Sequence, residues 1–225
     1  MKIKFTWQYL LCFFCLASLM GITHELVHHV TGYLICGEWG YKTFNSFDLA
    51  EGCEEANPNS VWFATIVAPI LLNYVPLWIG FFMLRSQKEG NRLFGFSLIF
   101  SVIPIMRIVF NLLGANDEPY LIRTLFGDNQ LAFWLMNLVT WLLIIPPLVL
   151  AYISIKNRFR ILVFTGFLLI FPAFVFVFVG IFLENLIVEH HFLSDTLWGM
   201  PYLVLLAELL SYIGYYSLRK HLWTV

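Results

Sequence analysis

Residues 5–35 read FTWQYLLCFFCLASLMGITHELVHHVTGYLI. This run exceeds the roughly 20 apolar residues that a helix needs to cross a hydrocarbon core. Within it stands His24-Glu25-Leu26-Val27-His28, an H-E-x-x-H pattern. On a helix, residues four apart share one face, so both imidazoles reach one metal ion. Glu25, one step round, is placed to take a proton from a water that the metal activates. Polar groups at membrane depth are costly and mark function. The bland alternative is a polar helix end whose histidines bond neighbouring helices.

Composition extends this reading to the whole chain. With 60% hydrophobic, 18% aromatic and 12% charged residues over 225 positions, an ordinary soluble domain is excluded. The pattern predicts an all-α, polytopic integral membrane bundle of about six transmembrane helices. Their approximate limits are Phe5–Ile35, Val61–Leu84, Leu93–Leu113, Leu131–Ile155, Phe159–Leu183 and Leu197–Leu218. The first is too long for one straight crossing, so it projects from the bilayer or bends near Gly21. Kinks are expected at Pro146-Pro147 and at Pro172. The chain reads as a single membrane domain over residues 1–225, with a core at 7–118 and further transmembrane helices at 119–225.

Orientation follows from loop charge. Lys2 and Lys4, Arg85, Lys88 and Arg92, Lys156, Arg158 and Arg160, and Arg219 and Lys220 fall on one side, most of the 13 lysines and arginines. The alternate loops are acidic. By the positive-inside rule both termini are cytoplasmic, and the acidic loops face outward, as in a multi-pass protein of a bacterial-type plasma membrane. The basic start before an apolar run also resembles a secretory signal, with small residues near Ala17 and Ser18. An uncleaved anchor is favoured, because cutting there would leave His24 without a helix in the membrane. Cys36 and Cys53 bracket the outward loop and are free to pair in an oxidising compartment. Cys12 and Cys15 read as packing residues. Residues 37–60, polar and carrying Trp39 and Tyr41, read as a small lid.

Two helical histidines leave a zinc ion needing at least one more protein ligand. Asp117 is the first choice. Arg107 and Asn111 lie four apart on an apolar helix, Gly114 breaks it, and Asn116-Asp117-Glu118 presents carboxylates. Arg107 cannot sit unpaired in lipid and must find an acidic or carbonyl partner in the bundle. A solvated turn before Pro119 is the plain reading of Asn116-Asp117. Glu118, Glu184, His190 and His191 are the rival ligands. Arg107 or His29 is a candidate oxyanion stabiliser, and Glu208 is a second possible partner for Arg107.

These motifs in this order resemble the site-2 protease family of intramembrane zinc metalloproteases. That family joins H-E-x-x-H in one membrane helix to G-P-x-x-N in the next. A third helix there leads through an N-L-L-P type stretch into L-D-G. The matching residues here are Ala68-Pro69-Ile70-Leu71-Leu72-Asn73 and Asn111-Leu112-Leu113 ahead of Asp117, and the likeness spans roughly residues 7–118. Alanine stands for the glycine, the proline–asparagine spacing is one residue longer, and Asn116-Asp117-Glu118 stands for L-D-G. The charge pattern also sets the site near the outer face, whereas many members carry it nearer the cytoplasm.

The resemblance implies Zn²⁺ held by His24, His28 and Asp117, with Glu25 as general base. It implies that Asn73 positions substrate, with Arg107 and Asn111 beside it. The expected function is hydrolysis of peptide bonds in membrane proteins or peptides, with the active site toward the extracytoplasmic side. A zinc-dependent lipid amidase completed by His190 and His191 is one alternative, and a non-catalytic membrane scaffold or transporter is another. Other classes are excluded on the residues. No G-x-S-x-G occurs, the spans hold no aspartate pair, six histidines are too few for a di-iron hydroxylase, and no basic stripe points to nucleic acid.

Overall fold

A computed structural model describes residues 1–224 as an all-α bundle. Helix α1 runs Trp7–Cys36 without interruption. The Thr6 side chain accepts from the Tyr9 N–H at its start, and Gly37, at φ 77°, ends it in the left-handed region. Gly21 therefore does not break the helix. Thirty residues give a rod about 45 Å long, longer than a hydrocarbon core of about 30 Å.

The second long helix, α2, spans Val61–Leu84, and its middle turn, Pro69–Tyr74, is π-helical. Helix α3 covers Glu89–Ser101 and α4 covers Pro104–Leu112. The chain breaks between them at Val102–Ile103, where Ile103 takes φ 49°. Pro104 lacks an N–H and disfavours helical geometry at Ile103, which accounts for the break. Helix α5 spans Asp117–Phe126 and α6 spans Gln130–Ser154, continuous through Pro146-Pro147. Helix α7 spans Arg160–Val188, with π-helical stretches at Gly166–Ile170 and Phe176–Leu183 on either side of Pro172. Helix α8 covers Tyr202–Leu218.

Among the described residues, five helices are long and apolar enough to cross a membrane: α1, α2, α3 with α4, α6 and α7. The chain is built as a membrane protein. The expected sixth span is shorter than its apolar run, because Leu197–Pro201 is spent in a hairpin. The 17 residues of α8 reach only about 26 Å at 1.5 Å per residue.

Phenylalanine packing holds the half of the bundle around the start of α1. Phe13 and Phe96 set their rings edge-on to Phe167 at 4.9 and 5.1 Å, and all three are buried. Lipid tails are as apolar as these rings, so close packing rather than water exclusion favours the contact. Tyr9, Cys12, Phe13 and Leu16 belong to this core, so cutting after Ala17 would strip it. Ile3 and Asn157 exchange two hydrogen bonds, at 2.8 and 2.9 Å, tying the first residues to the end of α6. Elsewhere Leu142, Ile161 and Ile170 are more than 60% exposed, as a lipid-facing surface requires.

The loop at residues 37–60 and the loop after α7 meet over one end. A disulfide joins Cys36 to Cys53, while Cys12 and Cys15 are free and buried. Strands β1 (Tyr41–Lys42) and β2 (Phe47–Asp48) form an antiparallel hairpin. A second hairpin pairs β3 (Thr196–Leu197) with β4 (Met200–Pro201), and the Lys42 N–H donates to the Gly199 carbonyl to join the two.

Backbones of α2 and α3 touch at Gly80 and Gly95, where a Cβ on either would stand 2.7 Å from the other's carbonyl oxygen. Gly95→Val should therefore cost on the order of 1–3 kcal/mol through overpacking. Gly166→Ala, with nothing within 4 Å of the added carbon, should be neutral. Thermal unfolding of detergent-purified protein reads the difference.

Candidate metal centre

One turn of α1 separates His24 from His28, and their rings meet edge to face with centroids 4.6 Å apart. The two Nε2 atoms are 3.0 Å apart. A carbonyl oxygen only accepts, so the His28 Nδ1 carries the proton it donates to Ala64 O at 2.6 Å. That fixes the tautomer and turns the Nε2 lone pair toward His24. The hairpin covers the pair, with the Phe47 ring lying parallel to His28 at 4.6 Å.

Asp117 arrives from the other side. Gly114, at φ 73°, stops α4, and the Ala115 N–H returns to the Phe110 carbonyl. Asn116 is extended, and α5 starts at Asp117 with two carboxylates in its first turn, where the helix dipole favours them. Asp117 Oδ2 lies 3.1 Å from His24 Nε2, and Oδ1 lies 3.4 Å from His28 Nε2. Donors about 2.1 Å from a tetrahedral ion sit roughly 3.4 Å from one another. The observed spacings of 3.0, 3.1 and 3.4 Å are close to that. His24, His28 and Asp117 form the one group of this kind among the described residues, and it could hold a metal ion.

Arg107 closes the fourth side. Its Nη1 donates to Asp117 Oδ2 at 2.6 Å, Glu118 Oε2 at 3.0 Å and Asn116 Oδ1 at 3.1 Å. Its Nη2 donates to Asn73 Oδ1 at 2.9 Å and lies 2.8 Å from His24 Nε2. A bound ion and that N–H compete for the same imidazole lone pair. Burial would raise the Asp117 carboxyl, but the guanidinium and the two histidine hydrogen bonds hold it well below the usual carboxylate range.

The cluster opens on a cavity of about 970 Å³. His24, Glu25, Asn73, Arg107 and Asp117 line its polar wall, while Phe110, Pro172 and Phe176 line an apolar one, and residues 44–49 roof it. Glu25 is half-buried on that wall beside His24.

The other candidates go elsewhere. Glu118 faces Arg107 and the Tyr74 hydroxyl, which donates to Oε1 at 2.6 Å. Glu184 accepts from the Phe44 N–H. His190 and His191 are exposed on the loop after α7. His29 bonds the Trp198 carbonyl and stacks on Trp39, outside the cavity. Asn111 is fully buried behind the site, where its amide oxygen accepts from Asn116 Nδ2 at 2.7 Å. Glu208 is not among the groups bonded to Arg107.

Three participants carried no signal in the sequence. Tyr74 and Thr140 look like ordinary membrane-helix residues until Glu118 and Asn111 reach them. Lys42, in β1, is fully buried, with Thr43 O as its hydrogen-bond partner. Burial lowers its ammonium from the ordinary range, and the carboxylates of Glu25, Glu208 and Glu184 oppose that shift.

His24→Ala, His28→Ala and Asp117→Ala should each take bound metal from roughly one ion per chain to nearly none. His190→Ala should leave it unchanged. Elemental analysis of detergent-purified protein checks this, and full occupancy in Asp117→Ala would remove that ligand. No protein-family model, curated protein or solved structure matches this chain.

Proposed function

We propose that the chain is an intramembrane zinc metalloprotease, a divergent relative of the site-2 protease family, that hydrolyses peptide bonds of membrane-associated substrates. One observation carries this reading. His24, His28 and Asp117 converge at 3.0–3.4 Å beside Glu25, on the wall of a cavity that is polar on one side and apolar on the other. Two imidazoles and one carboxylate, with room for water, make a donor set that suits catalytic zinc. When bound, zinc supplies a Lewis acid that lowers the pKa of water and polarises a carbonyl.

The chain's own residues do the rest. Glu25 accepts the proton of the attacking water and returns it to the leaving amine. Arg107 reaches the cavity and opposes negative charge on the scissile oxygen. Asn73 offers its amide to the substrate backbone, and the hairpin roof limits bulk water. The longer proline–asparagine spacing is a departure from the family pattern that the wide turn at Pro69–Tyr74 accommodates. The additional residue falls inside it, and Asn73 still meets Arg107.

The Cys36–Cys53 disulfide favours an oxidising compartment for the roofed end. With α8 taken as a short sixth crossing, this agrees with cytoplasmic termini and an extracytoplasmic site. The lipid amidase alternative drew its extra ligands from His190 and His191, which are exposed.

Glu25→Gln separates an enzyme from a scaffold or transporter. It should keep its metal and lose turnover by about 10²–10⁴-fold. The assay uses quenched-fluorescent transmembrane peptides in detergent or bicelles. Unchanged turnover in Glu25→Gln, or cleavage of acyl amides in preference to peptides, would overturn the reading.

A further inference from the structure

Six side chains from four helices and one turn close a ring of hydrogen bonds behind the metal cluster. Arg107 Nη1 donates to Asn116 Oδ1 at 3.1 Å, and Asn116 Nδ2 donates to Asn111 Oδ1 at 2.7 Å. Asn111 Nδ2 donates to Thr140 Oγ1 at 3.2 Å, which lies 3.3 Å from the Tyr74 hydroxyl. Tyr74 donates to Glu118 Oε1 at 2.6 Å, and Glu118 Oε2 accepts from Arg107 at 3.0 Å.

Donor and acceptor chemistry gives the ring one direction. A carboxylate only accepts and a guanidinium only donates. The Tyr74 proton is committed to Glu118, so within the ring Thr140 can only donate to the Tyr74 oxygen; Met136 Sδ, at 3.8 Å, is the hydroxyl's other acceptor. Both routes start at Arg107 and end at Glu118. Thr140, Asn111 and Glu118 are each at most 5% exposed, so these bonds form away from water, where they polarise one another.

We propose that Glu118 is a positioning residue, the acceptor end of a directional ring that fixes Arg107 against Asp117 and His24. Its second carboxylate oxygen, held through Tyr74 and Thr140, extends that control to α6, whose Thr140 touches neither ligand. The inference rests on the metal-centre reading, and its kinetic part on the hydrolase reading as well.

Thr140→Val, Tyr74→Phe and Glu118→Gln test it, each loaded with Co²⁺ alone and assayed on a cleaved fluorescent peptide. Outer partners of a metal ligand typically change affinity or activity by about 10–100-fold. Each variant is expected to keep its metal stoichiometry, shift the visible Co²⁺ band, weaken Co²⁺ in chelator competition and lower kcat with KM within about twofold. Thr140→Ser restores the hydroxyl and should restore the band, the affinity and kcat. The Thr140→Val/Glu118→Gln double variant should be no worse than its worse parent, since both break one chain.

A wild-type spectrum and affinity in Thr140→Val and Tyr74→Phe, both with unchanged melting, would overturn the proposal, as would additive losses in the double variant. Should wild-type protein hold Co²⁺ yet cleave no peptide, the protease reading fails. The spectral shift then still decides the ring.

Discussion

A guanidinium inside an apolar bundle needs partners for its charge, and Arg107 sets that requirement here. Asn73 on α2, Asn116 at the turn, and Asp117 and Glu118 on α5 accept from its two terminal nitrogens at the edge of the cavity. Leaving such a charge without its partner costs about 3–5 kcal/mol in buried pairs. That penalty accounts for the way α4 must end. Helix α5 has to begin directly after the Gly114 turn for its first two carboxylates to reach back. Once they do, Asp117 lies beside the two histidines of α1. The geometry that could hold a metal is thus a by-product of neutralising one arginine.

Costly residues inside the apolar runs were readable from sequence, because cost limits the places where they can go, whereas Lys42, buried from a polar loop, was not. His24, His28 and Arg107 advertised themselves in that way, and Asp117 stood out as the third ligand among the carboxylates after the Gly114 break. Cys36 and Cys53 were visible through their positions at the ends of one loop. What stayed hidden depends on contacts between distant segments. Thr140 on α6 and Tyr74 on α2 matter only because Asn111 and Glu118 point at them. The π-helical turn at Pro69–Tyr74 has no local signature beyond a proline that also fits an α-helix start. The break at Ile103 was written in Pro104, yet the apolar run through it read as one span. Helix α8 was overestimated because hydropathy does not distinguish Leu197 in a strand from a leucine in a helix.

The roof over the site is more than a cover. Phe47 stacks on His28, Phe44 and Asn45 dock on Glu184 and Gly180 of α7, and Lys42 sits fully buried beneath the hairpin. Since the disulfide ties the following segment to the end of α1, the helix that supplies both imidazoles also anchors their shield. Roof and ligand-bearing helix are therefore covalently joined.

The clasp between Ile3 and Asn157 bears on how the chain comes together during synthesis. Every group bonded to Arg107 has left the ribosome once residue 118 emerges, whereas the clasp must wait for residue 157. Tyr9 meets Ser97 within that first stretch, so what the later residue holds is the tip ahead of α1. That tip is latched only as the fourth long helix is completed.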